Sequence, residues 1–170
     1  MLTMKKLFTY KALTFDSDEE RRFYIWCEEA FKAGFITGYF YHTRSFNLSE
    51  KVDRDIVVQL KSKTKTKKKH LLREHIYTPD FILEPDKKFH ELNLDWEIAP
   101  DGKIYIDVKG GFSIYNNERE FKVNQKWVFQ KYGVFINKVI PKKIFRSHSR
   151  QASKTNAQEQ VLRVWPIVKP

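Results

Sequence analysis

The segment KIYIDVKGG, residues 103 to 111, constrains the fold more than any other part of this chain. Successive side chains of a strand point to opposite faces of a sheet, and here the apolar residues fall on both faces. A strand of this kind is typical of a sheet that is covered on both sides. The same strand nevertheless carries Asp107 and Lys109 on one face, directly before Gly110 and Gly111. The pattern predicts a buried strand whose last residues have a role beyond packing.

The order of the predicted elements indicates an α/β fold with a central mixed β-sheet flanked by helices. The clearest helix begins after Ser17, a natural N-cap, and ends at Gly34. It carries one apolar stripe, formed by Phe23, Trp26, Cys27, Ala30 and Phe31. The other predicted elements are one or two strands in 35–60, a strand over 75–83, a hairpin-like excursion over 84–103, a helix over 116–133 and a strand over 134–140.

Composition narrows the function classes. The 170 residues suit one domain, with a single cysteine, Cys27, and no apolar run of about 18 residues. A disulfide framework and a membrane span are therefore not expected, and a reducing compartment is. The net charge of +11 favours a polyanionic partner, nucleic acid first and an acidic membrane surface second. Residues 1–14 are expected to form a basic arm, 15–141 the domain itself, and 142–170 a basic extension.

A lysine-rich segment, residues 61 to 73, holds seven Lys or Arg and no acid. Like charges repel, so the segment predicts a weak strand or a mobile loop. We expect it to contact nucleic-acid phosphates without reading sequence. The alternative is a solvated run or a localisation signal. The candidate contacts are Lys61, Lys63, Lys65, Lys67, Lys68 and Lys69.

Asp107 and Lys109 share one face of their strand, about 7 Å apart. A carboxylate there can hold a divalent cation, since Mg²⁺ is bound by one or two carboxylates together with waters and substrate phosphate. A second carboxylate from a neighbouring strand is needed, and Asp80 is the candidate. Pro79, which lacks an N–H, would place Asp80 at a strand edge or bulge. The alternative is a structural Asp–Lys pair.

A third carboxylate can come from the first helix. Glu19 and Glu20 both lie near its apolar stripe, one turn before Phe23, and the helical period does not choose between them. A capping box with Ser17 also explains Glu20 without any role in a site.

The segments FDSDEERRFYIWCEE, YTPDFIL, YIDVKGG and FKVNQKWVFQKYGVFINKVIP resemble the phage-encoded endonucleases of the PD-(D/E)xK superfamily. They are also similar to the amino-terminal nuclease half of the TnsA transposition proteins. The likeness covers roughly residues 15–141 and implies a restriction-endonuclease-like nuclease domain. It favours Glu20 over Glu19 and adds the carbonyl of Val108, so that the implied metal ligands are Glu20, Asp80, Asp107 and Val108, with Lys109 as a catalytic residue.

The resemblance also implies a cofactor and partners. Mg²⁺ is expected as the cofactor, with Mn²⁺ substituting, and DNA as the substrate. A monomer and a homodimer both fit the sequence, and a recombination or transposition protein is a further candidate partner. A cytoplasmic location follows, in the host cell if the chain is phage-encoded. A polar helix after the D-x-K strand implies phosphate contacts by Lys122, Gln125 and Lys126, for which a solvated helix surface is the alternative.

Three functions are therefore consistent with the sequence. The first is a metal-dependent DNA endonuclease, for plain or branched DNA. The second is a non-catalytic nucleic-acid-binding protein with a degenerate nuclease fold. The third is a nuclease subunit that works only inside a transposition-type complex.

Overall fold

The structure of the protein, a computed structural model, describes residues 8–110 and 115–141, with side chains of the second range described from Glu118 onward. The predicted extension over 142–170 and the first seven residues of the predicted arm lie outside the described residues. No helix within the described ranges is long and apolar enough to cross a membrane.

The elements follow one another in this order: β1 (Phe8–Tyr10), β2 (Leu13–Phe15), α1 (Asp18–Lys32), β3 (Ile36–Tyr41), β4 (Phe46–Ser49), β5 (Val52–Gln59), β6 (Thr64–Leu72), β7 (His75–Tyr77), β8 (Phe81–Pro85), a 3-10 helix (Lys87–Leu92), β9 (Ile104–Val108), α2 (Tyr115–Tyr132) and β10 (Ile136–Val139).

A mixed four-stranded sheet with the order β10-β9-β8-β3 forms the centre of the molecule. β10 runs parallel to β9, and the other two pairings are antiparallel. The expectation of an α/β fold with a central mixed sheet is confirmed. The strand of the opening segment, β9, is buried at every position, which its apolar residues on both faces predict.

The two α-helices cover opposite faces of this sheet. Ile104, Ile106 and Val108 pack with the buried face of α1, whereas Tyr105 packs with residues of α2. Full burial of a large aliphatic side chain contributes about 1.5–3 kcal/mol, so β9 is a main source of the fold's stability. The alternation also places Asp107, like Tyr105, on the α2 side of the sheet.

The first helix agrees with the prediction at both ends. Ser17 Oγ accepts a hydrogen bond from the backbone N–H of Glu20 at 3.1 Å, and Gly34 adopts a left-handed φ of 76° after the last turn. Phe31, predicted on the buried stripe, is instead 49% exposed. It is eight residues from Phe23, and the 3.6-residue period carries it to the edge of the stripe.

Three predicted segments differ from the structure. The strand over 75–83 is two strands, β7 and β8, since Pro79 lacks the N–H that a continuous ladder needs. The excursion over 84–103 is a 3-10 helix and irregular chain instead of a hairpin. Residues 8–15 of the predicted loose arm and the start of the domain pair as a small hairpin, with Tyr10 donating to Glu28 of α1 at 3.0 Å.

The lysine-rich segment is a regular strand, β6, paired antiparallel with β5 in a separate two-stranded hairpin. The weak-strand alternative is therefore the one that the structure adopts. Repulsion along β6 is offset on one face of the hairpin only, where Asp55 lies opposite Lys68 and Asp53 lies opposite His70. The partner strand thus supplies the acids that the lysine-rich segment lacks.

A carboxylate-lined cavity at the end of the central strands

The pairing of β8 with β9 brings Asp80 and Asp107 together. Phe81 lies opposite Ile106 in this antiparallel pair, so the next position along places Asp80 beside Asp107. Directly opposed residues of an antiparallel pair have Cβ atoms about 5 Å apart on one face. Two carboxylates that are 27 positions apart in the chain thus become neighbours through the strand register alone.

These two acids line an open cavity of about 360 Å³ between the sheet end, β7 and α2. Lys109 lies in the same cavity, so the structure brings together three of the residues predicted from the sequence. The cavity is lined by His75, Ile76, Tyr77, Thr78, Asp80, Asp107, Lys109, Glu120, Phe121 and Asn124.

Asp107 is a buried carboxylate, only 3% exposed. Tyr77 donates its hydroxyl to Oδ1 at 2.9 Å, and the Lys109 ammonium lies 2.5 Å from Oδ2. That ammonium is the partner of Oδ2 among the described residues. Burial, followed by repulsion from Asp80, raises the pKa of Asp107 to about 6. The site therefore disfavours its own negative charge when no cation is bound.

Asp80 is held on both sides by the ends of neighbouring strands. Its Oδ2 accepts the backbone N–H of Val108 at 2.7 Å, and its Oδ1 lies 3.2 Å from Nε2 of His42. The His42 backbone N–H in turn donates to the carbonyl of Asp80 at 3.0 Å. The hydrogen bond to Asp80 raises the pKa of His42, which favours the imidazolium beside this carboxylate.

Glu20 lies outside the lining of the cavity. Its two oxygens accept the Ser17 and Tyr41 hydroxyls, each at 2.7 Å, and burial raises its pKa. Tyr41 stacks on His42 with ring centroids 4.0 Å apart, and His42 contacts Asp80. Glu20 is thus linked to Asp80 through two side chains, and it does not line the space that Asp107 faces.

Glu19 approaches the end of β9 from the same helix. A Cβ built on Gly110 would lie 3.6 Å from Glu19 Oε1, which is ordinary van der Waals contact. The choice between Glu19 and Glu20 therefore still rests on the resemblance alone.

The residues present fit a hard divalent cation at Asp80 and Asp107. Both offer carboxylate oxygens, and the Oδ2 of Asp107 is a buried oxygen whose partner among the described residues is the Lys109 ammonium. Among the described residues, the group of three whose ligand atoms lie within 4.8 Å of one another is Asp16, Glu20 and His42. The predicted trio of Glu20, Asp80 and Asp107 does not form such a group, so these positions offer a cation two carboxylates instead of three.

The predicted phosphate contacts lie away from the cavity lining. The lysines of β6 are exposed along the β5–β6 hairpin. On α2, Lys122 and Lys126 are exposed, and Gln125 donates its amide to the carbonyl of Ile136 at 2.6 Å. The inward positions of α2 are Phe121, Asn124 and Val128, and this orientation turns Glu120, Phe121 and Asn124 toward the cavity instead.

Sequence reasoning missed several residues of this site. Tyr77 and His75 belong to β7, and a continuous strand over 75–83 gave no reason to single out their side chains. His42 follows β3 with a left-handed φ of 51°. The sequence spacing around His42 does not have the pattern of a metal-ligand motif, so it did not indicate a role for this residue. The signal for Tyr77 was present, since it lies two residues before the Pro79–Asp80 pair.

No family model, curated protein or solved structure matches this chain. The likeness to PD-(D/E)xK nucleases therefore stays a prediction from the motifs.

Proposed function

We propose that this protein is a metal-dependent DNA endonuclease with a restriction-endonuclease-like fold, which hydrolyses phosphodiester bonds in the cavity at the end of β8 and β9. The observation that carries the proposal is the meeting of Asp80, Asp107 and Lys109 in one cavity. A chain with a net charge of +11 would bring this cavity to a polyanion.

Energetic cost argues against a purely structural role for these acids. A buried carboxylate is expensive unless it is paired and hydrogen-bonded, and two neighbouring carboxylates repel each other. The ionised form of Asp107 stays disfavoured despite its contacts with Tyr77 and Lys109, since the pKa of Asp107 lies well above the ordinary value of an aspartate. A fold has no need for this arrangement, whereas a cation site does.

The chain's own residues have separable roles. Asp80 and Asp107 would hold the cation, and the Val108 N–H orients the Asp80 carboxylate by donating to it. The backbone N–H of Val108 is thus bound to Asp80. That the backbone carbonyl of Val108 binds the metal ion stays a prediction. Tyr77 orients the Asp107 carboxylate from the opposite side of the oxygen pair.

Lys109 is the candidate to position or deprotonate the attacking water, or to neutralise charge on the scissile phosphate. Its ammonium lies against Asp107 and within 5.6 Å of the Phe121 ring centroid, so α2 helps to fix its direction. When bound, Mg²⁺, or Mn²⁺ in its place, supplies Lewis-acid polarisation of the phosphate and lowers the pKa of a coordinated water.

Cleavage of supercoiled plasmid and of a four-way DNA junction tests the proposal, with wild-type protein in Mg²⁺, in Mn²⁺ and in EDTA. We expect nicking or linearisation that requires the cation. Asp107→Ala and Asp80→Ala should each reduce the rate by about 10³-fold, the scale of removing one group that stabilises the transition state. Asp95→Ala removes an exposed acid as a control and should cleave at the wild-type rate.

An Asp107→Ala protein that cleaves as fast as wild type would show that the site is assigned wrongly. Wild-type protein that binds DNA but never cleaves it would favour the non-catalytic binding protein. Cleavage that begins only when a recombination or transposition partner is added would favour the nuclease subunit of a larger complex. Paired cuts on both strands would favour a homodimer.

A further inference from the structure

The β5–β6 hairpin separates its charges between its two faces. Directly opposed residues share a face, and Arg54 lies opposite Lys69, Ile56 opposite Lys67, and Val58 opposite Lys65. We call this side the basic face; its members are Arg54, Ile56, Val58, Lys65, Lys67 and Lys69. The other side is the mixed face; its members are Asp53, Asp55, Val57, Gln59, Thr64, Thr66, Lys68 and His70.

The two faces differ in net charge although they belong to the same strands. Within β5 and β6 the basic face carries four cations and no acid. The mixed face carries two acids and one lysine, and it has further internal partners: Asp53 forms ion pairs with Lys51 at 3.2 Å and with His70 at 3.1 Å. The positive charge of the hairpin is therefore uncompensated on one side only.

The apolar residues of the hairpin show the same asymmetry. Ile56 and Val58 of the basic face are half-buried, as expected where the aliphatic stems of lysines lie across them. Val57 of the mixed face is 71% exposed. The lysines opposite Ile56 and Val58 are exposed, so the charge of the basic face remains accessible to a partner.

The hairpin is rooted beside the cavity. Two residues separate β6 from β7, whose residues His75 and Tyr77 line the cavity, and two residues separate β5 from β4, the partner of β7. Eight residues of strand span about 27 Å. The hairpin is therefore joined at its base to β7, which borders the cavity, and to its partner β4.

We propose that the basic face of the β5–β6 hairpin docks on the sugar–phosphate backbone of double-stranded DNA beside the bond that is cut. This rests on the proposed function, which makes DNA the substrate. It adds Arg54 to the phosphate contacts predicted from the lysine run. It leaves out Lys68, which is on the mixed face, and Lys61 and Lys63, which lie between the two strands. A two-stranded ribbon is one of the elements that the DNA major groove admits, and a face of aliphatic stems and cations suits phosphates more than base edges.

Two double variants with the same change of charge test this. Lys65→Gln/Lys67→Gln alters the basic face, and Lys51→Gln/Lys68→Gln alters residues beside the acids of the mixed face. Binding to a 30-base-pair duplex is measured by fluorescence anisotropy in EDTA over a range of salt concentrations. Loss of two phosphate contacts lowers the slope of log K against log salt by about 1.8, from 0.9 for each contact. The control double should change the slope by less than about 0.5.

Equal slope changes in the two doubles would overturn the assignment to one face, and so would wild-type slopes in both. If wild-type protein cleaves DNA while the basic-face double keeps wild-type binding, the docking surface is refuted and the nuclease proposal stands. If wild-type protein binds no DNA at all, both proposals fail. Wild-type slopes for DNA combined with lost binding to an acidic protein would instead identify the face as a protein-docking surface.

Discussion

The cavity and the β5–β6 hairpin use the same residue types in opposite ways. In the cavity Asp107 and Lys109 are two residues apart on one strand, and Asp107 is 3% exposed. In the hairpin Asp55 and Lys68 face each other across two strands, and both are exposed. An exposed pair of this kind contributes roughly 0–1 kcal/mol, whereas a buried carboxylate changes its own pKa.

The difference shows where a charged residue carries information about function. Exposed charges are nearly free of folding constraints, so only their arrangement on a face is informative. A buried charge that is not fully compensated lowers the free energy of unfolding. Such a residue is therefore a candidate for binding a ligand or taking part in a reaction. Three measurements test this contrast, because the same kind of change should have a large effect in the cavity and a negligible one on the hairpin.

The largest effect is expected from a divalent cation. At pH 7.5 and a concentration of Mn²⁺ about 100 times its Kd, binding to the native state adds about 2.7 kcal/mol. For a chain of this size, Tm should rise by roughly 5–10 °C. The rise should disappear in Asp107→Asn, measured by differential scanning fluorimetry, and persist in Asp95→Asn.

The same measurement has a defined pH dependence. Burial and Asp80 raise the pKa of Asp107 to about 6, so the native state binds more protons than the unfolded chain from about pH 4 to pH 6. Without a cation, stability is therefore lost as the pH rises through this window. The cation needs the ionised carboxylate, and at pH 5 only about a tenth of Asp107 is ionised, so the Mn²⁺ shift should be about half as large at pH 5 as at pH 7.5. A shift of equal size at both values would contradict the assignment.

An intermediate effect is expected from Tyr77→Phe, which removes the hydroxyl that donates to Asp107 Oδ1. That hydrogen bond favours the ionised carboxylate, so its loss should raise the pKa of Asp107 further. The acidic limb of the pH–rate profile should move to higher pH, and activity should fall by about 10-fold to 100-fold.

The control is Tyr132→Phe, which also deletes a hydroxyl that donates a hydrogen bond, here from an exposed tyrosine to the carbonyl of Asn47 at 2.7 Å. It should leave the acidic limb where it is in wild type. If the two variants lose activity equally with an unmoved limb, Tyr77 has only a packing role.

The smallest effect is expected on the hairpin. Lys67→Gln and Lys68→Gln each remove one exposed charge from β6, and surface changes of this kind alter stability by less than about 0.5 kcal/mol. Tm should stay within about 2 °C of wild type in both. A loss of several degrees in Lys67→Gln would mean that the basic face packs on the protein itself.

The central elements were predictable because their patterns are local. The cap at Ser17, the left-handed Gly34 and the apolar residues of β9 each determine their own conformation. The pairing of Asp80 with Asp107 was also predictable from the sequence. An acid inside an apolar strand is energetically costly, and two such acids on two strands indicate one shared site.

What depends on tertiary contacts was not predictable. The acids opposite the lysines of β6 lie on β5, and the sequence does not reveal that register. Glu20 follows the same rule, since its hydroxyl partner Tyr41 comes from β3, and that contact holds its carboxylate outside the cavity lining. The orientation of α2 depends on which residues reach the core, and it turns Asn124 to the cavity where the helical pattern alone suggested Gln125.

The contact between His75 and Trp127 has a practical consequence. The two rings lie 5.6 Å apart at an interplanar angle of 17°, and His75 borders the cavity while Trp26 and Trp96 pack together in the α1 cluster. Once Trp165, which lies outside the described residues, is replaced by Phe, entry of a nucleotide strand that displaces the imidazole alters the surroundings of Trp127 and leaves Trp26 and Trp96 unchanged. The emission of Trp127 can thus serve as a built-in, label-free indicator of occupancy in stopped-flow experiments.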